Sequence, residues 1–238
     1  NFYKLKKKYN FYLVEDSCHA LGSSYYFKKK KIKIGSCYHS DISTFSLHPV
    51  KSITSGEGGF LTTNSKFLSD KFKLLRSHGI IRSNRKKKYW KYDVSLPSFN
   101  FRMSDINASL GYSQLNKLNE FVKKRNLLAG LYINKLSEIS DKVKIIQANK
   151  NIISSYHLLI MMIDFKKLKI KKDKFIYLLN KSGIYPQYHY DPIYKFSFYK
   201  FLKREKKFNS AEKYYQGAIS VPLYYNLSIK NLMKVIKS

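Results

Sequence analysis

The chain has 238 residues, 44% of them apolar, with 21 Tyr and 16 Phe, and this is too much core-forming side chain for a disordered polypeptide despite a formal charge of +31. Only six of its 46 basic residues are Arg (76, 82, 85, 102, 125 and 204), and the Lys are scattered among abundant Asn, Ile, Tyr and Phe, so the charge reads as AT-biased coding and argues against a nucleic-acid or membrane-surface role. Cys18 and Cys37 form no CxxC, and the adjacency of Cys18 and His19 is not ligand geometry, so no disulfide framework or metal site is expected and the chain fits a reducing cytoplasm.

In chain order, Phe2 to Tyr9 reads as the tail of an amphipathic element. Phe11 to Val14, followed by Glu15 and Asp16, predicts a buried parallel strand with acids at its carboxyl end, where open α/β sheets bind ligands. The runs Lys28 to Lys31 and Lys86 to Lys88 read as solvated loops. Ile42 to Leu47 predicts a second strand, which leads through the polar, Gly-rich stretch Ser52 to Gly59 into a strand or hairpin arm at Phe60 to Thr63. Lys66 to Ser77 has a helical period. From Met103 one long helix is expected to about Leu136, with Ser104 as N-cap. The remainder alternates: Tyr156 to Ile163 extended, Lys172 to Leu179 helical, Tyr185 to Tyr190 extended, then Ser210 to Ala218 and Ile229 to Lys237 helical. The best apolar run, Leu158 to Ile163, is far too short to cross a bilayer. The expected division is a larger domain over residues 1–137 and a smaller α/β domain over 138–238.

The informative block runs from Ser43 to Gly59. A lysine at the end of a strand and turn, with Ser46 upstream and glycines downstream, suits Schiff-base chemistry, in which an amine is held beside a carbonyl. Ser46 could donate to a phosphate oxygen, and the glycines would let backbone approach a ligand closely. On pattern alone, Lys51 reads as a surface lysine and Asp16 as a helix cap or loop acid.

Four segments resemble successive signatures of the DegT/StrS-type sugar aminotransferases, in order: VEDSCHALGSSY (Val14 to Tyr25), SDISTFSLHPVKSITSGEGGFLTTN (Ser40 to Asn64), LLRSHGI (Leu74 to Ile80) and FNFRMSDINASLG (Phe99 to Gly111). Two later stretches, YHYDPIY (Tyr188 to Tyr194) and AEKYYQGAISVPLY (Ala211 to Tyr224), are similar to that family's carboxyl-terminal motifs.

The resemblance implies a fold type I transferase using pyridoxal 5'-phosphate: the carboxyl part of a large domain, with a mostly parallel sheet and flanking helices, plus a small carboxyl-terminal α/β domain. It implies that Lys51 forms the Schiff base with the cofactor and moves the proton, while Asp16 pairs with the pyridine nitrogen and keeps it protonated. Ser46 matches a serine on the cofactor phosphate, and His19 a residue near the cofactor hydroxyl, with a purely structural histidine as the alternative. Asn100 matches an asparagine that reaches the cofactor phosphate of a neighbouring subunit, implying a homodimer with shared sites. Arg102 and His189 match phosphate or substrate contacts, or are structural. The combination FSLHPVK, SxTSGEGG and LLRSHGI is similar to the transaminases of pseudaminic acid biosynthesis. This implies L-glutamate as amino donor and a UDP-linked 4-keto-6-deoxy sugar as acceptor. Family members have a long region before the strand that ends in Asp16, so a partial chain is expected. Its isolated form would then be an inactive fragment or a non-catalytic subunit unless a complementary chain supplies the rest of the cofactor cradle.

Overall fold

A computed structural model describes residues 2–82, 90–139, 141–203 and 208–238. The lysine run 86–88, and with it Arg85 and Arg204, lies outside the described residues. The chain forms two compact units, residues 1–119 with 151–155, and residues 120–150 with 156–238.

The elements of the first half are helix α1 (Phe2–Tyr9), strands β1 (Val14–Asp16), β2 (Ser24–Phe27), β3 (Lys30–Lys33), β4 (Ile42–Ser46) and β5 (Gly59–Thr62), and helix α2 (Lys66–Arg76). They are followed by β6 (Ile80–Arg82), β7 (Tyr92–Val94) and α3 (Asp105–Leu115). The second half comprises α4 (Leu118–Ile139), β8 (Val143–Ile145), β9 (Ile152–Ile153), β10 (Leu159–Ile163) and α5 (Lys172–Lys181). Two 3-10 turns (Ile193–Lys195 and Ser197–Lys203), α6 (Asn209–Gly217), β11 (Ala218–Val221) and α7 (Ile229–Lys237) complete it.

The first unit is built on the sheet β1-β4-β5. β1 and β4 are parallel, with Asp16 beside Thr44, and β4 and β5 are antiparallel, with Ser46 opposite Gly59. Period-two alternation then sorts the side chains. Ser43 and Phe45 are buried, Phe45 stacks on Phe60 with centroids 4.7 Å apart, and the Ser43 hydroxyl donates to Glu15 Oε2 at 2.8 Å. Ile42, Thr44 and Ser46 therefore share the opposite, half-open face with Asp16. A second sheet, β3-β2-β9, carries the Lys28 to Lys31 run at its tip. Lys28 and Lys29 both take positive φ, 47° and 64°, as a two-residue turn matched to strand twist requires, and the run is exposed as expected.

The β1 end is clamped by Asp41. Its carboxylate accepts from Lys6 Nζ (2.7 Å) and from the Leu13 amide (2.8 Å), while its own amide donates to Leu13 O (2.9 Å). Burial alone would raise the Asp41 carboxyl, but these donors outweigh it and hold the group below its ordinary value.

Two expectations are corrected here. The sheets are small and mostly antiparallel, and β1–β4 is the single parallel pairing among the described residues. The cause is local, since β5 returns to β4 through one loop and β8, β10 and β11 pair antiparallel. The first strand is also not buried. β1 pairs only with β4 among the described residues, and Tyr12 and Val14 stay 66% and 52% exposed. A third difference concerns the long helix, which breaks after Leu115, where the Lys117 amide turns back to Gln114 O at 3.0 Å. Asn116 sits in that turn, in keeping with the preference of Asn for turns over helix interiors.

The second unit packs α4, α5 and α7 with the antiparallel sheet β8-β10-β11. β10 alternates, with Leu159, Met161 and Ile163 entering the core beside Leu128, Tyr132, Ile219 and Leu232. Arg125, 7% exposed, donates through Nη1 to the carbonyls of Tyr156 (3.1 Å), His157 (3.3 Å) and Leu223 (2.9 Å). Backbone carbonyls, not an acid, satisfy this buried cation.

Candidate active site

The site grows from the carboxyl ends of β1 and β4. Asp16 ends β1, and its Oδ1 accepts from the Cys18 amide at 3.1 Å, closing a two-residue turn of the kind Asp favours. The chain then loops from Ser17 to Ser23, with the Ser17 amide on Thr44 O (2.9 Å), Ala20 on Ser17 O (2.8 Å) and Ser23 on Ala20 O (2.9 Å). His19 lies in this loop, and its carbonyl accepts from the buried Ser155 hydroxyl at 3.4 Å.

Ser46 ends β4. It sits two residues beyond Thr44, on the face shared with Asp16, so the two backbone positions are roughly 8 Å apart by strand rise and spacing. Its Oγ accepts from the His48 amide at 3.3 Å and keeps its own proton to donate.

Residues 47–58 link β4 to β5, and Leu47 is their hub. Its amide donates to Gly58 O (2.8 Å), while its carbonyl accepts from the Ser55 amide (3.0 Å) and the Thr54 hydroxyl (2.9 Å). Lys51 is thereby held in a loop closed at Leu47, with its amide on His48 O at 2.9 Å. The Lys51 amine makes no hydrogen bond or ion pair among the described residues. His48 faces Glu57 across the loop, Nε2 to Oε1 at 3.7 Å.

Helix α3 seats this loop. Ser104 caps the helix by accepting from the Asn107 amide at 3.2 Å, and the Asn107 side chain donates to Ser55 O. One turn on, Gly111 is buried where a Cβ would lie 3.3 Å from Ser55 Cβ and 3.7 Å from Leu47 Cδ1. Asn107 and Gly111 share one helix face by their four-residue spacing. That spacing is visible in the sequence, where the site residues expected in this segment are Asn100 and Arg102. Cys18 is the other residue not anticipated, and its signal was its place two positions after Asp16.

The electrostatics tie the pieces together. The neighbouring Cys18 side chain and the Cys18 amide hold the Asp16 carboxyl below its ordinary value, and the charges of His19 and Lys51 act in the same direction. Burial and the neighbouring Asp16 push the Cys18 thiol up, so it stays protonated. Asp16, His19, Ser46 and Lys51 thus belong to one end of one small sheet.

Asn100 and Arg102 lie elsewhere in the first unit. Their segment runs beside the end of α2, with Asn100 bridging Ser77, Phe101 N on Arg76 O (3.0 Å) and the Arg102 amide on Asn100 Oδ1 (3.1 Å). Both are exposed. His189 belongs to the second unit, where its Nδ1 meets Ser220 Oγ at 2.8 Å and its carbonyl accepts from Tyr214. No cluster of three His, Cys, Asp or Glu able to hold a metal occurs among the described residues, and no described helix is long and apolar enough to cross a membrane.

The model of the DegT/DnrJ/EryC1/StrS aminotransferase family matches residues 1–238. The chain belongs to this family. Its members are pyridoxal-phosphate-dependent sugar aminotransferases. Among curated relatives, a UDP-4-amino-4,6-dideoxy-N-acetyl-β-L-altrosamine transaminase of Campylobacter jejuni is 39% identical over 229 residues, 95% of this chain and 57% of the relative. Among solved structures, Helicobacter pylori PseC, an aminotransferase of pseudaminic acid biosynthesis, superposes with a TM-score of 0.86 at 33% identity, covering 99% of this chain and 60% of that one. A Streptococcus pneumoniae sugar aminotransferase in its PLP form gives 0.80 at 27% identity, covering 98% and 58%. The chain therefore spans somewhat under two thirds of the length of these family members.

Proposed function

We propose that this chain carries the lysine side of a pyridoxal-phosphate site in an aminotransferase that moves the amino group of L-glutamate to a UDP-linked 4-keto-6-deoxy sugar. One observation carries the reading: an ionised carboxylate, a hydroxyl with a free proton and an amine that forms no ion pair among the described residues share one sheet end. This donor set suits the family's cofactor, with Asp16 for the ring nitrogen, Ser46 for the phosphate and Lys51 for the carbonyl carbon. The bound cofactor supplies an electron sink for the carbon that loses its proton.

Within that frame each side chain has one task. Asp16 keeps a negative charge opposite the ring nitrogen, and its carboxyl, held below the ordinary value beside Cys18, favours that charged form. Ser46 donates to a phosphate oxygen, and Lys51 Nζ takes and returns the proton at the amino-bearing carbon. His19 orients the ring from the turn after β1. Asn100, Arg102 and His189 serve phosphate or substrate, with Asn100 acting across a homodimer. The sugar rests on the names of the Campylobacter and Helicobacter relatives, and the donor on the resemblance to the family's motifs. A second reading is that residues outside this chain complete the cradle; the exposed edge of β1 favours it.

The test is borohydride reduction in the presence of pyridoxal phosphate, followed by peptide mapping. In so lysine-rich a chain, the reading requires label concentrated on Lys51 and lost from that peptide in Lys51→Ala. Label spread evenly over surface lysines would sink it. Addition of L-glutamate before reduction should protect Lys51 if the amino-donor half of the proposal is correct.

A further inference from the structure

His189 is the residue of the second unit assigned to the ligand, and several elements converge on it. Its ring Nδ1 lies 2.8 Å from the Ser220 hydroxyl on β11, and its carbonyl accepts from the Tyr214 hydroxyl on α6 at 2.9 Å. Two backbone bonds between Gln187 and Ser220, 3.0 and 2.8 Å long, lock the segment before the histidine to the same strand. Lys172 on α5 ties down the junction of α6 and β11 by donating to Tyr215 O (2.6 Å) and Ala218 O (3.0 Å). We propose that Ser220 is a positioning residue for His189: its hydroxyl donates to Nδ1 and so holds the neutral imidazole in the tautomer that carries its proton on Nε2.

The direction of that bond follows from the surroundings of the serine. Ser220 is 6% exposed, in a strand whose residues are all buried, and His189 Nδ1 is the only hydrogen-bond partner of its side chain among the described residues. A hydroxyl has one proton to give, and a buried donor left unsatisfied is costly. Were Nδ1 to donate instead, the Ser220 proton would have no acceptor. A serine that donates leaves Nδ1 unprotonated, and in a neutral imidazole the proton then sits on Nε2. At the other end of the residue, burial pushes the Tyr214 phenol up, so it stays protonated and keeps its bond to the His189 carbonyl. The proposal rests on the assignment of His189 to phosphate or substrate and makes it more specific. A ring whose Nε2 is a donor takes an acceptor oxygen of a phosphate or a sugar, not an N–H or ammonium group.

The decisive measurement is the tautomer of His189 in the full chain at mildly basic pH, read by nitrogen NMR from its two ring nitrogens, with His189→Gln to assign them. The Nε2–H form should dominate, and a predominant Nδ1–H form overturns the proposal. Ser220→Ala should lower the ratio of the Nε2–H to the Nδ1–H form by about fivefold, the factor that one typical neutral hydrogen bond represents. Ser220→Thr, which keeps the hydroxyl, should stay close to the parent. An unchanged ratio in Ser220→Ala, or equal displacement in both variants, overturns the proposal. Should the variants misfold, the parent alone decides: its ratio should exceed that of the same chain unfolded in urea by the same factor, and equal ratios overturn the proposal. Titration with UDP-N-acetylglucosamine separates the pair from the ligand assignment. Displacement of the Nε2 resonance supports both. If the tautomer depends on Ser220 but the sugar nucleotide moves neither nitrogen, the ligand role of His189 fails with the site reading, while the hold of Ser220 on the ring has been measured on its own.

Discussion

Gly59 offers the sharpest test of how the strands hold the site. It stands opposite Ser46 in the β4–β5 pairing, and a Cβ placed on it would lie 2.4 Å from the backbone oxygen of Phe45. Ordinary contact begins at 3.4 Å, so Gly59→Ala must push the strands apart by about 1 Å, and the obstructing atom is backbone that cannot rotate away. Overpacking of this kind costs about 1–3 kcal/mol. Loss of the adjacent Leu47 N to Gly58 O bond, 2.8 Å long, adds about 1 kcal/mol. Since Leu47 closes the loop that holds Lys51, the same change should lower borohydride labelling of Lys51 at fixed cofactor concentration. Urea unfolding followed by far-ultraviolet circular dichroism measures the first effect, and peptide mapping the second. A variant within about 0.5 kcal/mol of the parent, labelled equally well on Lys51, would refute the claim that this rung sets the loop.

Three further outcomes are expected. Gly130 lies inside α4 with no atom within 4 Å of the place a Cβ would take, so Gly130→Ala should stabilise by about 0.5–1 kcal/mol in the same urea assay. Arg125→Met strands three carbonyls that shared one guanidinium nitrogen and should cost about 3 kcal/mol or more, with Arg125→Lys recovering part because an ammonium also donates from a single nitrogen. The Asp41 clamp has a depressed carboxyl, so its contribution is complete above the unfolded value near 3.8 and is lost as pH falls through the lower folded value. Asp41→Asn should therefore flatten the acid limb of a stability–pH profile, and an unchanged limb would count against the clamp.

Much of the site was legible because strands announce their own ends. The apolar run closing in Glu15 and Asp16 placed β1 within a few residues, and Ser104 was recognised as the cap of α3 from its residue type and position. The helix at Ile229–Lys237 followed from its own pattern, and the structure adds Ser228 as its cap. What escaped was set by partners distant in the chain. β9 is two residues long and becomes a strand only because β2 lies beside it, and β11 read as a mere motif because every one of its residues is buried, which erases alternation. The burial of β1 was misjudged for a related reason: its apolar residues report a strand but not how many neighbours that strand has. On α3, Ile106 and Tyr112 are 83% and 70% exposed, and the packed positions are Asn107 and Gly111, which no hydrophobic pattern would select.

The short segment 151–155 has a consequence for how such a chain can be divided or recombined. Ile152 and Ile153 pair with Tyr25 and Ser24, Asn151 O accepts the Tyr26 amide, and Ser155 bonds both Ser23 and the carbonyl of His19. The first unit therefore borrows five residues from beyond position 119, and the two units are interleaved along the polypeptide. A single genetic crossover near residue 119 would hand over a first unit whose Ser23 has lost its buried partner and whose His19 turn has lost its outer tether. Modules joined this way are inherited together, and a productive exchange with a relative would have to carry the strap along with the turn it secures.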